Sequence, residues 1–180
     1  MNYQQTGFNL LTNRRPANLL KLMEIYERII YSDIDIIWKR DPRPYFKGNF
    51  DFWAQLGGVI DGCPYLGGYL PYICTGFFAL QRTKKTRKMI SKWIKEMSQN
   101  PTIKQDQNVF QTVVFDLSKD FCVLSMKYFL CGNTYFEHMS DKLQKEVVIV
   151  HNNFIIGKEK KIKRFKDFNL WYSSKYQFND

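Results

Sequence analysis

Apolar positions along this chain alternate between two spacings, and those spacings predict its elements. Leu19, Leu20, Met23 and Tyr26 recur three or four residues apart and mark a helix from Pro16 to about Glu27. Pro16 suits the first turn, where its missing N–H leaves nothing unsatisfied. Ile29-Ile30-Tyr31 is a short β-branched run and predicts a buried strand leading to Asp33. Phe50–Leu56, Gly76–Leu80, Phe121–Ser125 and Val147–Val150 predict further strands. Met89, Ile90, Trp93, Ile94 and Met97 predict an amphipathic helix that stops at Asn100-Pro101. Val109, Phe110, Val113 and Val114 predict another, opening near Asp106. Between them, residues 57–71 carry five glycines and two prolines and read as a mobile loop, and Asp41-Pro42-Arg43-Pro44 breaks regular structure. Strands and helices alternate, which predicts an α/β domain with a mainly parallel or mixed sheet.

Such sheets bind ligands at the carboxyl ends of their strands. Two chemically loaded segments are predicted there: Asp33-Ile34-Asp35 after the first strand, and His151-Asn152-Asn153 after the last. In an extended segment, residues two apart point to one side, so the two carboxylates would lie roughly 6–7 Å apart at Cβ. Carboxylates that close, beside apolar Ile34, Ile36 and Ile37, repel unless a cation joins them or one takes up a proton. Mn²⁺ or Mg²⁺ would relieve the repulsion, and neutral imidazole from His151 can complete such a site. Each piece has a plain alternative. An aspartate is common in a turn after a strand, and a histidine is often purely structural. His138, in a polar segment, is assigned no role. Asp106-Gln107 is either a helix cap or a pair that binds sugar hydroxyls. Gly76, in Thr75-Gly76-Phe77-Phe78, admits a close approach of backbone or ligand within a strand.

Composition narrows the partners only in part. The chain has 180 residues, 27 Lys and Arg against 17 Asp and Glu, and a net charge of +10. That charge favours an anionic partner: a diphosphate, a nucleic acid, an acidic glycan or a membrane surface. Arg82–Lys95 holds seven basic residues and no acid, and Lys158–Lys175 seven more against Glu159 and Asp167. Either run also fits a solvated helix face or loop. The basic runs lack interleaved aromatics outside Lys163–Trp171, which argues against a nucleic-acid partner. Cys63, Cys74, Cys122 and Cys131 form no Cys-x-x-Cys pair, so a zinc site is not expected, and both disulfides and buried thiols remain open. No apolar stretch is long enough to span a membrane, and Met1–Arg15 holds no apolar targeting core.

Taken in order, several segments resemble the nucleotide-diphospho-sugar transferase family, which includes plant rhamnogalacturonan-II xylosyltransferases. They are Tyr31–Pro42 with its Asp-x-Asp, Phe50-Asp51-Phe52-Trp53, Cys74–Phe78, Asp106-Gln107, Gly132–Phe136, and His151-Asn152-Asn153 with Gly157. The resemblance spans about Pro16 to Trp171. It implies a GT-A-like, Rossmann-type mixed sheet flanked by helices, and a single transferase domain over residues 1–180. It implies transfer of a sugar from a UDP-linked donor, UDP-xylose among the candidates, to a glycan or glycoprotein acceptor with retention at the anomeric carbon. It places Mn²⁺ or Mg²⁺ on Asp33, Asp35 and His151, and the donor sugar against Asp106 and Gln107. Thr75, Gly76, Gly157, Lys158 and Lys160 become donor-binding residues, the lysines facing the diphosphate. A Golgi-lumenal setting is implied for the full-length protein. Only 32 residues precede Asp33, so the expectation is a domain partial at its N-terminus that lacks its first strands. The competing expectation is a catalytically silent remnant that binds polyanions through its basic surface.

Overall fold

The computed structural model describes residues 12–57, 72–99, 106–117, 121–138 and 145–172. The predicted glycine-rich loop lies, except for Gly57, outside the described residues, as does Cys63. The described elements run α1 (Arg15–Ile25), β1 (Arg28–Ser32), β2 (Ile36–Trp38), β3 (Phe52–Leu56), β4 (Ile73–Gln81), α2 (Lys84–Gln99), α3 (Asp106–Leu117), β5 (Phe121–Val123), β6 (Phe129–Cys131), β7 (Ile149–His151) and α4 (Lys158–Asp167). A 3₁₀ turn covers Arg43–Tyr45 and a π-helical turn Thr134–His138.

The strands form two mixed sheets, ordered β1-β4-β3-β5 and β2-β7-β6. β4 runs antiparallel to both β1 and β3, and β5 runs parallel to β3. β7 runs antiparallel to β2 and parallel to β6. The expectation of a mixed α/β architecture with flanking helices holds. Strict alternation of strand and helix does not, because β1 passes directly into β2 and three neighbouring strands of the first sheet are antiparallel.

β4 explains why a continuous apolar run can still be a strand. Successive side chains point to opposite faces. Phe78 and Leu80 enter one core with Leu19 and Met23 of α1, Trp93 of α2 and Phe110 of α3. Phe77 and Ala79 enter another, between the sheets, with Ile36, Phe46, Trp53 and Ile149. Both faces are covered, so both must be apolar. β3 divides the same way, with Phe52 and Ala54 facing the helices and Trp53 facing the second sheet. A third cluster, including Leu130, Tyr135, Val150 and Phe165, seats α4 on the second sheet.

The basic run of α2 lies as the plain reading had it. Lys84, Lys85, Lys88 and Lys95 are exposed while Met89, Ile90, Trp93 and Met97 are buried. Cys74, Cys122 and Cys131 are free thiols. No helix among the described residues is long and apolar enough to cross a membrane.

Candidate metal and donor site

The two sheets meet at Asp33–Asp35. β1 ends at Ser32 in the first sheet, β2 begins at Ile36 in the second, and the chain crosses between them in a turn closed by Ile36 N–H donating to Asp33 O (3.3 Å). This corrects the expectation of an extended Asp-x-Asp segment: a turn, not strand pleating, brings the carboxylates together. It also leaves Ile34 at the turn's tip fully exposed, while Ile36 is buried. Both aspartates are fixed through their backbones. Asp33 N–H donates to Gly76 O of β4 (2.7 Å), and Asn152 N–H donates to Asp35 O (2.9 Å).

His151 is the last residue of β7, not the first beyond it, and is paired with Ile36 and Cys131. The buried ring sets Nε2 3.5 Å from Asp35 Oδ1 and 3.9 Å from Asp33 Oδ2. One ligand atom from each of Asp33, Asp35 and His151 lies within 4.8 Å of the others. Two hard carboxylates and an imidazole suit Mn²⁺ or Mg²⁺ in donor chemistry. The ring's other nitrogen, Nδ1, faces Cys74 Sγ at 3.4 Å, and that sulfur also accepts from Gly76 N–H (3.3 Å). Gly76 itself is tight against the trio. A Cβ there would lie 2.8 Å from Asp33 Oδ2 and 3.0 Å from His151 Nδ1. The glycine is thus required by close approach, and what approaches is the candidate metal site.

Besides the metal ion the sequence suggested, the carboxylates face cationic side chains of the chain itself. Arg15 lies buried between Asp33 and Asp106. Its guanidinium reaches Asp33 Oδ1 (3.2 Å), Asp106 Oδ2 (2.9 Å) and the carbonyl of Thr75 (2.9 Å), and stacks 4.6 Å from the Tyr31 ring centroid. Tyr31 O–H also donates to Asp33 Oδ1 (2.7 Å), so that oxygen is held while Oδ2 faces His151. Lys161 Nζ contacts Asp35 Oδ2. Burial alone would raise the pKa of Asp35, but hydrogen bonding and charge from His151 and then Lys161 prevail and hold it down at about 2. Burial alone would lower the pKa of His151, but Cys74 and Asp35 prevail and raise it to about 10. Burial is the largest influence on Asp106, whose pKa is raised despite Arg15.

The remaining candidates are distributed unevenly. Asp106 opens α3, buried against Arg15, and Gln107 Oε1 accepts from Thr75 Oγ1 (3.4 Å). These three therefore stand beside the carboxylate turn. Gly157 precedes α4 with φ of 103°, and Lys158 and Lys160 are exposed on that helix. Sequence reasoning missed Lys161, the lysine of this run that touches Asp35. Nothing in a run of adjacent basic residues marks the inward one. It also missed Arg15, although a cation in the first turn of a helix opposes the helix dipole and implies a buried anionic partner.

Comparison with known proteins agrees with this architecture. The chain belongs to the nucleotide-diphospho-sugar transferase family, whose sequence profile matches residues 1–165. It is 33% identical over 181 residues to UDP-D-xylose:L-fucose alpha-1,3-D-xylosyltransferase MGP4 of Arabidopsis thaliana, covering 92% of this chain and 50% of that protein. It is 31% identical to UDP-D-xylose:L-fucose alpha-1,3-D-xylosyltransferase 3 of the same plant, covering 92% and 48%. The chain thus spans about half the length of the curated relatives it matches. A solved glycosyltransferase involved in glycosylation of the major capsid of PBCV-1 superposes with a TM-score of 0.58 over 91% of this chain and 77% of its own, at 15% identity. That likeness establishes the fold, which is of the GT-A type.

Proposed function

We propose that this chain handles the donor of a metal-dependent, retaining glycosyltransferase that moves a sugar from UDP, UDP-xylose being the donor its relatives suggest, to a fucose-bearing glycan. One observation supports this reading above others: the convergence of Asp33, Asp35 and His151 at the seam between the sheets. On this reading, residues 1–180 act within one transferase domain, and the full-length protein works in the Golgi lumen.

Asp33, Asp35 and His151 would hold Mn²⁺ or Mg²⁺. When bound, the ion supplies positive charge against the leaving diphosphate. The chain's own residues do the remaining work. Arg15 and Tyr31 fix one oxygen of Asp33 so that the other stays aimed at the site. Cys74 holds the His151 ring in place through Nδ1, as partners of ligating histidines commonly do. Asp106 and Gln107 accept from or donate to hydroxyls of the donor sugar, with Thr75 and Gly76 forming the wall beside them. Lys158 and Lys160, after the open turn at Gly157, meet the diphosphate oxygens electrostatically.

The test is a calorimetric titration of UDP with and without Mn²⁺, in the wild type and in Asp35→Ala. Mn²⁺-dependent binding that disappears in the variant is expected. Folded wild type that ignores UDP with the metal present would refute the proposal. The exposed lysines of α2 favour a second reading, a non-catalytic binder of polyanions. Binding of UDP independent of metal and steeply weakened by salt would support that reading instead.

A further inference from the structure

A transferase also needs a place for its acceptor, and α4, whose Lys161 touches Asp35, carries a groove on another face. Lys161 turns toward Asp35, whereas Lys160, Arg164 and Asp167, spaced four and three residues apart, share another face of the helix. With Phe136, Glu137 and Phe168 they line a shallow groove of about 290 Å³. We propose that this groove is an acceptor subsite for one pyranose ring of the glycan, an assignment that rests on the transferase reading above.

The lining offers both kinds of contact a sugar uses. A pyranose presents an apolar C–H face and hydroxyls that both donate and accept. Phe168 is 37% exposed and offers a ring to the C–H face. Phe136 stands edge-to-face with it, centroids 4.8 Å apart, and Arg164 lies 5.0 Å from the Phe136 centroid. The carboxylates of Glu137 and Asp167 accept from hydroxyls. Those carboxylates also offset the local cations, since Arg164 pairs with Glu137 at 3.4 Å and Lys163 with Asp167 at 2.8 Å. The lining keeps one cation, Lys160, beyond those two pairs.

The groove is built rather than incidental, and it is joined to the metal trio. Arg164 Nη1 donates to Asn153 O (3.2 Å), and Asn153 Oδ1 accepts from Gly132 N–H (2.6 Å). A side chain at position 132 would press on Asn153 O and come within 3.1 Å of Arg164 Nη1. Gly132 through Phe136, a segment with no role at the metal site, thus shapes the groove. Asn153 follows His151 by two residues, and Lys161, which touches Asp35, lies on the same helix that carries the groove.

The experiment titrates methyl α-L-fucopyranoside into ¹⁵N-labelled protein, alone and with UDP and Mg²⁺. Amide shifts are expected to concentrate in residues 134–137 and 160–168. Phe168→Ala is expected to weaken fucoside affinity roughly 3- to 10-fold, the scale of a lost aromatic contact, and Glu137→Gln to weaken it as well. UDP affinity should stay within about twofold in both, since neither residue touches the carboxylate turn. No fucoside binding, shifts confined to other segments, or wild-type affinity in both variants would each overturn the inference. Failure of the wild type to bind UDP, with the fucoside arm unchanged, would instead count against the donor reading.

Discussion

Gly76→Ala adds one methyl group at the most crowded point of the candidate site. The new carbon would lie 2.8 Å from Asp33 Oδ2 and 3.0 Å from His151 Nδ1, and closer still to Cε1 of that ring. Ordinary contact needs about 3.5 Å, so both ligand groups must retreat. Neither can do so easily. The His151 ring is 5% exposed and held between Cys74 and Asp35, and Asp33 is tied to Gly76 itself by a backbone hydrogen bond. Overpacking of this kind costs about 1–3 kcal/mol of stability. Displacing ligands that must converge on one ion should weaken Mn²⁺ binding at least about 10- to 100-fold, the range seen when a ligand's support alone is lost. Gly157→Ala is the matched control. Its Cβ meets nothing within 4 Å, but φ is 103°, so the change costs about 1–3 kcal/mol as backbone strain alone. Mn²⁺ calorimetry and thermal unfolding on both variants separate the two causes. Comparable stability losses are expected in the two, with metal affinity lost only in Gly76→Ala. If Gly76→Ala binds Mn²⁺ within about threefold of wild type, the close approach of β4 to the trio does not govern the site.

Arg15→Met removes the cation shared by Asp33 and Asp106 and should cost about 3–5 kcal/mol in chemical unfolding; a loss below about 1 kcal/mol would mean that Asp106, whose pKa is already raised, takes up a proton instead. Cys74→Ala should leave the fold intact but weaken Mn²⁺ about tenfold by freeing His151 Nδ1, with Cys74→Ser closer to wild type; equal affinities in all three would show that the sulfur does not position the ring. Asp35 titrates near pH 2 in the folded chain against an ordinary 3.8, so its ionised form stabilises the fold above about pH 4 and that contribution disappears as pH falls through 2. The stability advantage of wild type over Asp35→Asn should therefore shrink by about 2 kcal/mol between pH 6 and pH 2, measured by urea unfolding; a pH-independent difference would contradict the Lys161 and His151 contacts.

The parts of this structure legible in the sequence are those in which one face decides the pattern. α2 shows its apolar stripe because its other side is solvated, and β4 reads as a strand because both of its faces are buried. β2 and β6 escaped notice, whereas β5 and β7, equally three residues long, were read from the longer runs Phe121–Ser125 and Val147–Val150. Asp33, Asp35 and His151 were legible as residue types, and their meeting could be guessed from strand ends. The turn that brings the aspartates together was not, because Ile34, an apolar residue left fully exposed, disguises it as strand. Arg15 and Lys161 lay beyond reach for a different reason. Each contacts its aspartate across a long stretch of chain, and the local pattern around a lysine does not say which way α4 rolls.

Those two cations change how the site is understood. Counted over protein groups alone, the carboxylates of Asp33, Asp35 and Asp106 face Arg15, Lys161 and a His151 whose pKa is raised to about 10. Three formal negative charges meet three positive ones, so the cluster is already near balance. A divalent ion entering it competes with the Lys161 ammonium for Asp35 and with a proton for His151, since a ligating imidazole must be neutral. The ion gains most when something else takes up the charge it displaces. On the proposed function a diphosphate would do this, being anionic where Lys161 would be displaced from Asp35. On the proposed function the metal and the nucleotide would therefore stabilise one another, with Lys161 of α4 as the group that couples them.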